Sequence, residues 1–139
     1  MIRGFLIDTC IWIDVEQGRI GPSDVAAVSA DAPVYLSPVT LAELKLGVEV
    51  CEDPAIRQHR QVTLRRMMRK PTLVIDSETA EIFGEIAAAV LRTGAGHRNR
   101  TQDLWLAAQA IQHDLKLLTR NRRDFHHIPG LGVVGLDGA

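Results

Sequence analysis

The sequence predicts an α/β fold, with a central parallel sheet of about five strands and helices on both faces. Three observations predict it. Short apolar runs of strand length recur at Phe5–Ile7, Val34–Leu36, Thr72–Ile75, Leu115–Thr119 and Val133–Val134. Stretches with helical start and stop signals lie between most of them, and that alternation favours parallel pairing. Apolar residues make up 46% of the chain but aromatics only 4%, so Ala, Leu, Ile and Val supply the core.

The first run, Phe5-Leu-Ile, ends without a turn on Asp8-Thr9. A buried strand does this when it delivers side chains to the carboxyl edge of a sheet. Ile11 to Glu16 reads as a short helix that stops near Gly18 and Gly21-Pro22. Ser23 and Asp24 start a second helix, which ends about Ala30, before Pro33. Val34-Tyr-Leu36 is the next strand. Ser37 caps, and Pro38 opens, a helix that runs to about Val50. Asp53-Pro54 turns the chain into a helix from Ala55 to Lys70. That helix has a basic side of Arg65, Arg66, Arg69 and Lys70 and an apolar stripe of Leu64, Met67 and Met68. Pro71 stops it.

Thr72-Leu-Val-Ile75 reads as a third strand, and Asp76-Ser77 caps a helix to about Arg92. Thr93 to His97 is a loop. The next helix starts near Thr101, capped by Asn99 or Thr101, and runs to His113. Leu115 to Thr119 is a strand, Arg120 to Asp124 a polar loop, Pro129-Gly130 a turn and Val133-Val134 an edge strand.

At 139 residues the chain is read as a single domain over 1–139, large enough for one core without staples. No apolar run approaches the roughly 20 residues of a membrane span, and the start Met-Ile-Arg-Gly-Phe lacks secretory features. Cys10 and Cys51 have no metal spacing and are too few to staple a domain, so a reducing cytoplasm is expected. Net charge is −1, but residues 54–75 hold six basic residues and no acid. Segregated positive charge is compatible with a polyanionic substrate, while the near-neutral total argues against coating nucleic acid by bulk charge alone.

Three carboxylates stand where chemistry could use them. Asp8 ends the first strand, where it either caps the following helix or joins a ligand site. Glu43 interrupts an apolar stripe of Val39, Leu46 and Val50, so it needs a partner, a metal or water at its head. Asp103 precedes the apolar run Leu104-Trp-Leu-Ala-Ala108, at a helix start whose dipole favours a negative charge. Asn121 and Asp124 add oxygens in the polar loop, and Arg120, Arg122 and Arg123 add positive charge. If the acids converge, an all-oxygen set suits Mg²⁺ or Mn²⁺ rather than zinc. Such a site activates water against a phosphodiester.

These pieces resemble PIN-domain proteins, and more closely the VapC toxins of bacterial toxin–antitoxin systems. The resemblance is carried by Phe5-Leu-Ile-Asp8-Thr9, Ser37-Pro-Val-Thr-Leu-Ala-Glu43-Leu44, Asp103-Leu-Trp-Leu-Ala-Ala108, Leu117-Leu-Thr-Arg-Asn-Arg-Arg-Asp124-Phe and Ile128-Pro-Gly-Leu131. It implies an α/β/α sandwich and a Mg²⁺- or Mn²⁺-dependent endoribonuclease. Asp8 and Asp103 would be the main metal ligands, Glu43 would complete the shell or position water, and Thr9 and Thr119 would stand beside them. The resemblance also implies a homodimer and a VapB-like antitoxin. Many such domains carry an acid where this chain has Asn121, which leaves the number of metals open and Asp124 as a substitute. The alternative is a catalytically weak PIN-like module that binds RNA or forms complexes. The basic segment from Arg57 to Lys70 has three readings: an RNA contact, a solvated face or a contact with an acidic partner.

Overall fold

The computed structural model of the chain describes residues 3–94 and 101–137. The elements run β1 (Phe5–Ile7), α1 (Thr9–Glu16), α2 (Pro22–Ser29), β2 (Val34–Tyr35), α3 (Pro38–Glu49) and α4 (Pro54–Met67). They continue with α5 (Ser77–Arg92), α6 (Thr101–Gln112), β3 (Lys116–Leu118) and β4 (Val133–Val134). Four strands among the described residues pair in parallel in the order β2-β1-β3-β4.

The sheet divides two apolar layers, and the strands show why. Successive side chains leave a strand on opposite faces. Leu6 and Leu117 join one buried cluster, with Ile86 and Val90 of α5 and Leu106, Ala107 and Ala110 of α6. Phe5, Ile7 and Leu118 join the other, with Ile11 and Trp12 of α1, Val25 of α2 and Met67 of α4. Gly4 admits the chain to this sheet. Its φ is +146°, and a Cβ there would stand 2.7 Å from the Pro33 carbonyl oxygen, beside the bond from Phe5 N–H to that same oxygen.

The helices lie where their signals predict, with instructive exceptions. Ser37 accepts a bond from the Val39 amide, Asp53 from Ala55 and Ile56, and Asp76 from Thr79. α4 ends at Met67 rather than Lys70, because a residue before proline is pushed away from helical backbone. Met67 is buried but Met68, a hundred degrees round, is 56% exposed. Thr72–Ile75 is not a strand. Only Thr72 bridges to Leu36, since Pro71 has no amide to donate and Val74 already faces outward. The predicted loop to His97 and the Asn99 cap extend outside the described residues. No described helix is long and apolar enough to cross a membrane.

The stripe expected around Glu43 is also different. Leu46 and Val50 are 62% and 66% exposed, and α3 instead buries Thr40 and Val48. Glu43 is half-buried where it faces α1 rather than as an interruption of a core stripe.

Candidate active site

Parallel pairing sets Ile7 opposite Leu118, so the residues that follow, Asp8 and Thr119, leave the sheet edge side by side. Asp8 is only 3% exposed. It occupies the N-cap position of α1, yet its side chain makes no capping bond. The Thr119 hydroxyl donates to Asp8 Oδ2 at 2.7 Å, and the Cys10 thiol donates to the same oxygen at 3.2 Å. Burial, and then the charge of Asp8, push the Cys10 thiol up to about 12, so it remains a thiol and donates a hydrogen bond.

Thr9, the first residue of α1, links Asp8 to α3. Its hydroxyl lies 3.0 Å from that of Thr40 and donates to Glu43 Oε1 at 3.5 Å. Thr9 and Thr40 are both buried. Asp103 lies in the first turn of α6 and is 4% exposed, and α6 packs on both β1 and α3. The three acids therefore sit on neighbouring elements, with α6 packed on β1 and α3, α1 packed on α3, and Thr9, next in the chain to Asp8, bonded to Glu43.

The loop after β3 is tied to the same place. The Asn121 amide donates to the Thr119 hydroxyl at 3.0 Å, while the Asn121 side chain is exposed. Asp124 is half-buried at the end of a 3-10 turn, Arg122–Asp124. The three loop arginines part company. Arg120 bonds Asp14 at 2.6 Å, Arg122 pairs with Asp137 at 3.3 Å, and Arg123 is exposed. Asp14 also holds Arg19 at 2.8 Å. The bond from Arg19, and then that from Arg120, hold its carboxyl below the usual range against the opposing effect of burial.

Sequence reasoning missed Cys10, Thr40 and Asp14. Thr40 had a signal, because it lies three residues before Glu43 and so shares its helix face. Asp14 had one too, as an acid within the apolar helix Ile11 to Val15. Cys10 had none, since its bond depends on the side-chain orientation of Asp8. In the basic segment, Arg57 pairs with Glu49, Arg60 bonds the Gly47 carbonyl, and Lys70 lies over the Trp12 ring. Arg65, Arg66 and Arg69 are exposed.

The PIN domain family matches residues 5–131. Ribonuclease VapC5 of Mycobacterium tuberculosis is 32% identical over 129 residues, covering 93% of this chain and 90% of that protein. This chain is a PIN domain of the VapC family. Its backbone is similar to that in the crystal structure of VapBC2 from Rickettsia felis bound to a promoter DNA fragment. There the TM-score is 0.83 at 20% identity over 97% of this chain and 98% of the other, a likeness of fold alone. It is similar also to VapBC-5 from Mycobacterium tuberculosis, a member of the VapBC family of toxin–antitoxin systems. That match has a TM-score of 0.74 at 28% identity, over 96% and 97% of the two chains.

Among the described residues, no three His, Cys, Asp or Glu side chains are grouped to hold one ion. What the edge offers is separate carboxylates among hydroxyls. That chemistry fits a hard cation such as Mg²⁺, which keeps several waters and needs only one or two carboxylates beside the substrate phosphates.

Proposed function

We propose that this PIN domain, working as one unit over residues 1–139, is the ribonuclease toxin of a VapBC-type toxin–antitoxin pair. It cuts RNA phosphodiester bonds in the cytoplasm with Mg²⁺ or Mn²⁺, as a homodimer held in check by a VapB-like antitoxin. One observation carries the reading: Asp8 stands where a cap belongs and does not cap. A buried carboxylate costs stability unless it is satisfied, and this one is turned from the helix toward the sheet edge shared with Thr119.

Asp8 and Asp103 would hold the ion, with Glu43 acting on its water. When bound, the ion lowers the pKa of attacking water and stabilises the leaving oxygen. The chain's own part is orientation. Thr119 and Cys10 both bond Oδ2 of Asp8, which orients the carboxylate, and Asp8 so held would offer its other oxygen to an ion. Thr9 holds Glu43 through Oε1. Asp124 would supply the charge that Asn121 lacks. Arg122 and Arg123, exposed at this edge, would meet backbone phosphates. Arg120 would join them only by leaving Asp14.

The test is cleavage of total cellular RNA by antitoxin-free protein, with Mg²⁺ or Mn²⁺ against EDTA, for wild type and Asp8→Asn. Discrete cuts that need both the metal and Asp8 are the expected result. Folded protein that binds RNA but cuts nothing would replace this reading with the non-catalytic module that Asn121 suggests.

A further inference from the structure

Beside Glu43 there is a cavity between α1, α3 and α4 to which the proposed reaction gives no part. Its open volume is about 150 Å³, and Leu64 and Met67 form its apolar floor. Glu16, Arg60 and Thr63 give it a polar wall, and Glu43 stands in its lining. Arg60 is held in that wall, donating to the Gly47 carbonyl at 3.0 Å and facing Glu16 at 3.5 Å.

We infer that this cavity is a base-specificity pocket, taking one unpaired pyrimidine of the RNA strand whose phosphodiester lies at Asp8 and Glu43. The inference rests on the ribonuclease reading. Size selects the ring, since an apolar cavity of about 150 Å³ accepts a single six-membered ring such as benzene. A fused purine would have to protrude. The lining supplies what single-stranded recognition uses: an apolar surface, a guanidinium for stacking, and groups that read base edges. Glu16 accepts from an exocyclic amine, and the Thr63 hydroxyl either donates or accepts. The position supplies the rest, because a nucleotide seated here places its neighbouring phosphate toward Glu43.

Gly47 provides the handle for a test. It lines the cavity, and a Cβ there would meet no atom within 4 Å, so a side chain can start at this position without a clash at its first carbon and Gly47→Leu is the variant chosen to fill the space. Gly84 on α5 is the matched control, with nothing within 4 Å of its Cβ and no part in the cavity. The experiment maps cut ends on total RNA, then compares kcat/KM for two oligonucleotides that differ only as pyrimidine or purine beside the cut. Wild type and Gly84→Leu should favour the pyrimidine about tenfold or more, the discrimination expected of one pocket. Gly47→Leu should still cut while the ratio falls toward one. Glu16→Gln, a change that fills nothing, should lower the ratio in the same direction and guards against misfolding of the leucine variant. If both variants cut with the wild-type ratio, the pocket is overturned and the ribonuclease reading stands. If that ratio persists while Gly47→Leu loses affinity for the antitoxin, the cavity seats a protein and the base assignment fails. A wild type that cuts no RNA overturns the ribonuclease reading itself, and the pocket with it.

Discussion

Three aspartates in this chain occupy the same local position, the residue just before a helix. Asp8, Asp53 and Asp76 precede α1, α4 and α5, each with extended backbone. Asp53 accepts from the amides of Ala55 and Ile56, at 2.9 and 3.0 Å. Asp76 accepts from Thr79, and the Thr79 hydroxyl accepts from the Asp76 amide in return. Asp8 does none of this. Its backbone (φ −66°, ψ 147°) is close to that of Asp53 (φ −74°, ψ 118°), so local conformation does not explain the difference. The neighbour does. β3 brings the Thr119 hydroxyl to Asp8, whereas Asp53 is exposed and its carboxylate bonds the amides of its own helix. An aspartate that could cap, and is held elsewhere in a buried place, is available for work.

The contrast is sharpest in paired variants. Asp8→Asn should remove cleavage by about a thousandfold or more, the scale of several kcal/mol of lost charge stabilisation. Its Tm without metal should hold or rise, because no capping bond is lost and one buried charge is. A large fall in Tm for Asp8→Asn would make it a structural residue and erase the contrast. Thr119→Val should come next. It takes a donor from Asp8 and an acceptor from the Asn121 amide. Single-turnover cleavage should slow by roughly ten- to a hundredfold, the scale of one charge-directed hydrogen bond. RNA affinity should change little.

Asp53→Ala should do the reverse, costing about 1 kcal/mol of stability in urea unfolding while cleavage stays at the wild-type rate. Asp76→Ala should likewise lower Tm without slowing cleavage. A slowed Asp53→Ala would show that α4 itself serves the reaction.

The smallest effect concerns pH. The folded pKa of Asp14 lies below the ordinary value, through Arg19 first and Arg120 after. In the unfolded chain an aspartate titrates near about 3.9. Between the two values the unfolded state binds more protons, so stability rises with pH in that window. The contribution is therefore complete above about pH 4–5 and is lost as pH falls through the depressed folded value. Urea midpoints from pH 6 to pH 3 should fall more steeply for wild type than for Asp14→Asn. Equal slopes would mean that the Arg120–Asp14 bond adds nothing to holding the loop beside Thr119.

The fold was largely legible because its signals are local. Ser37-Pro38, Asp53-Pro54 and Asp76-Ser77 mark helix starts through bonds made within three residues. The apolar runs mark strands through burial that any sheet would give them. Legibility failed where a local signal met a neighbour. Thr72–Ile75 has strand composition but lies at the sheet margin after a proline. Leu46 and Val50 have stripe spacing, yet α3 turns Thr40 and Val48 inward instead.

For the site, the residue types and their order were in the sequence: an acid closing the first strand, an acid on a middle helix, an acid opening a late helix. Their relations were not. The Asp8–Thr119 bond spans 111 residues and the Asp14–Arg120 bond spans 106. No periodicity reaches across that distance, because only strand register and helix packing set which side chains meet. The sequence by itself determined the elements and the chemistry available at their ends. Only the tertiary structure decided that Asp8 would be turned from its helix, that Arg120 would face Asp14, and that a cavity would open beside Glu43. Those outcomes follow from competition among neighbours for the same polar groups, and the neighbours exist only once the chain has folded.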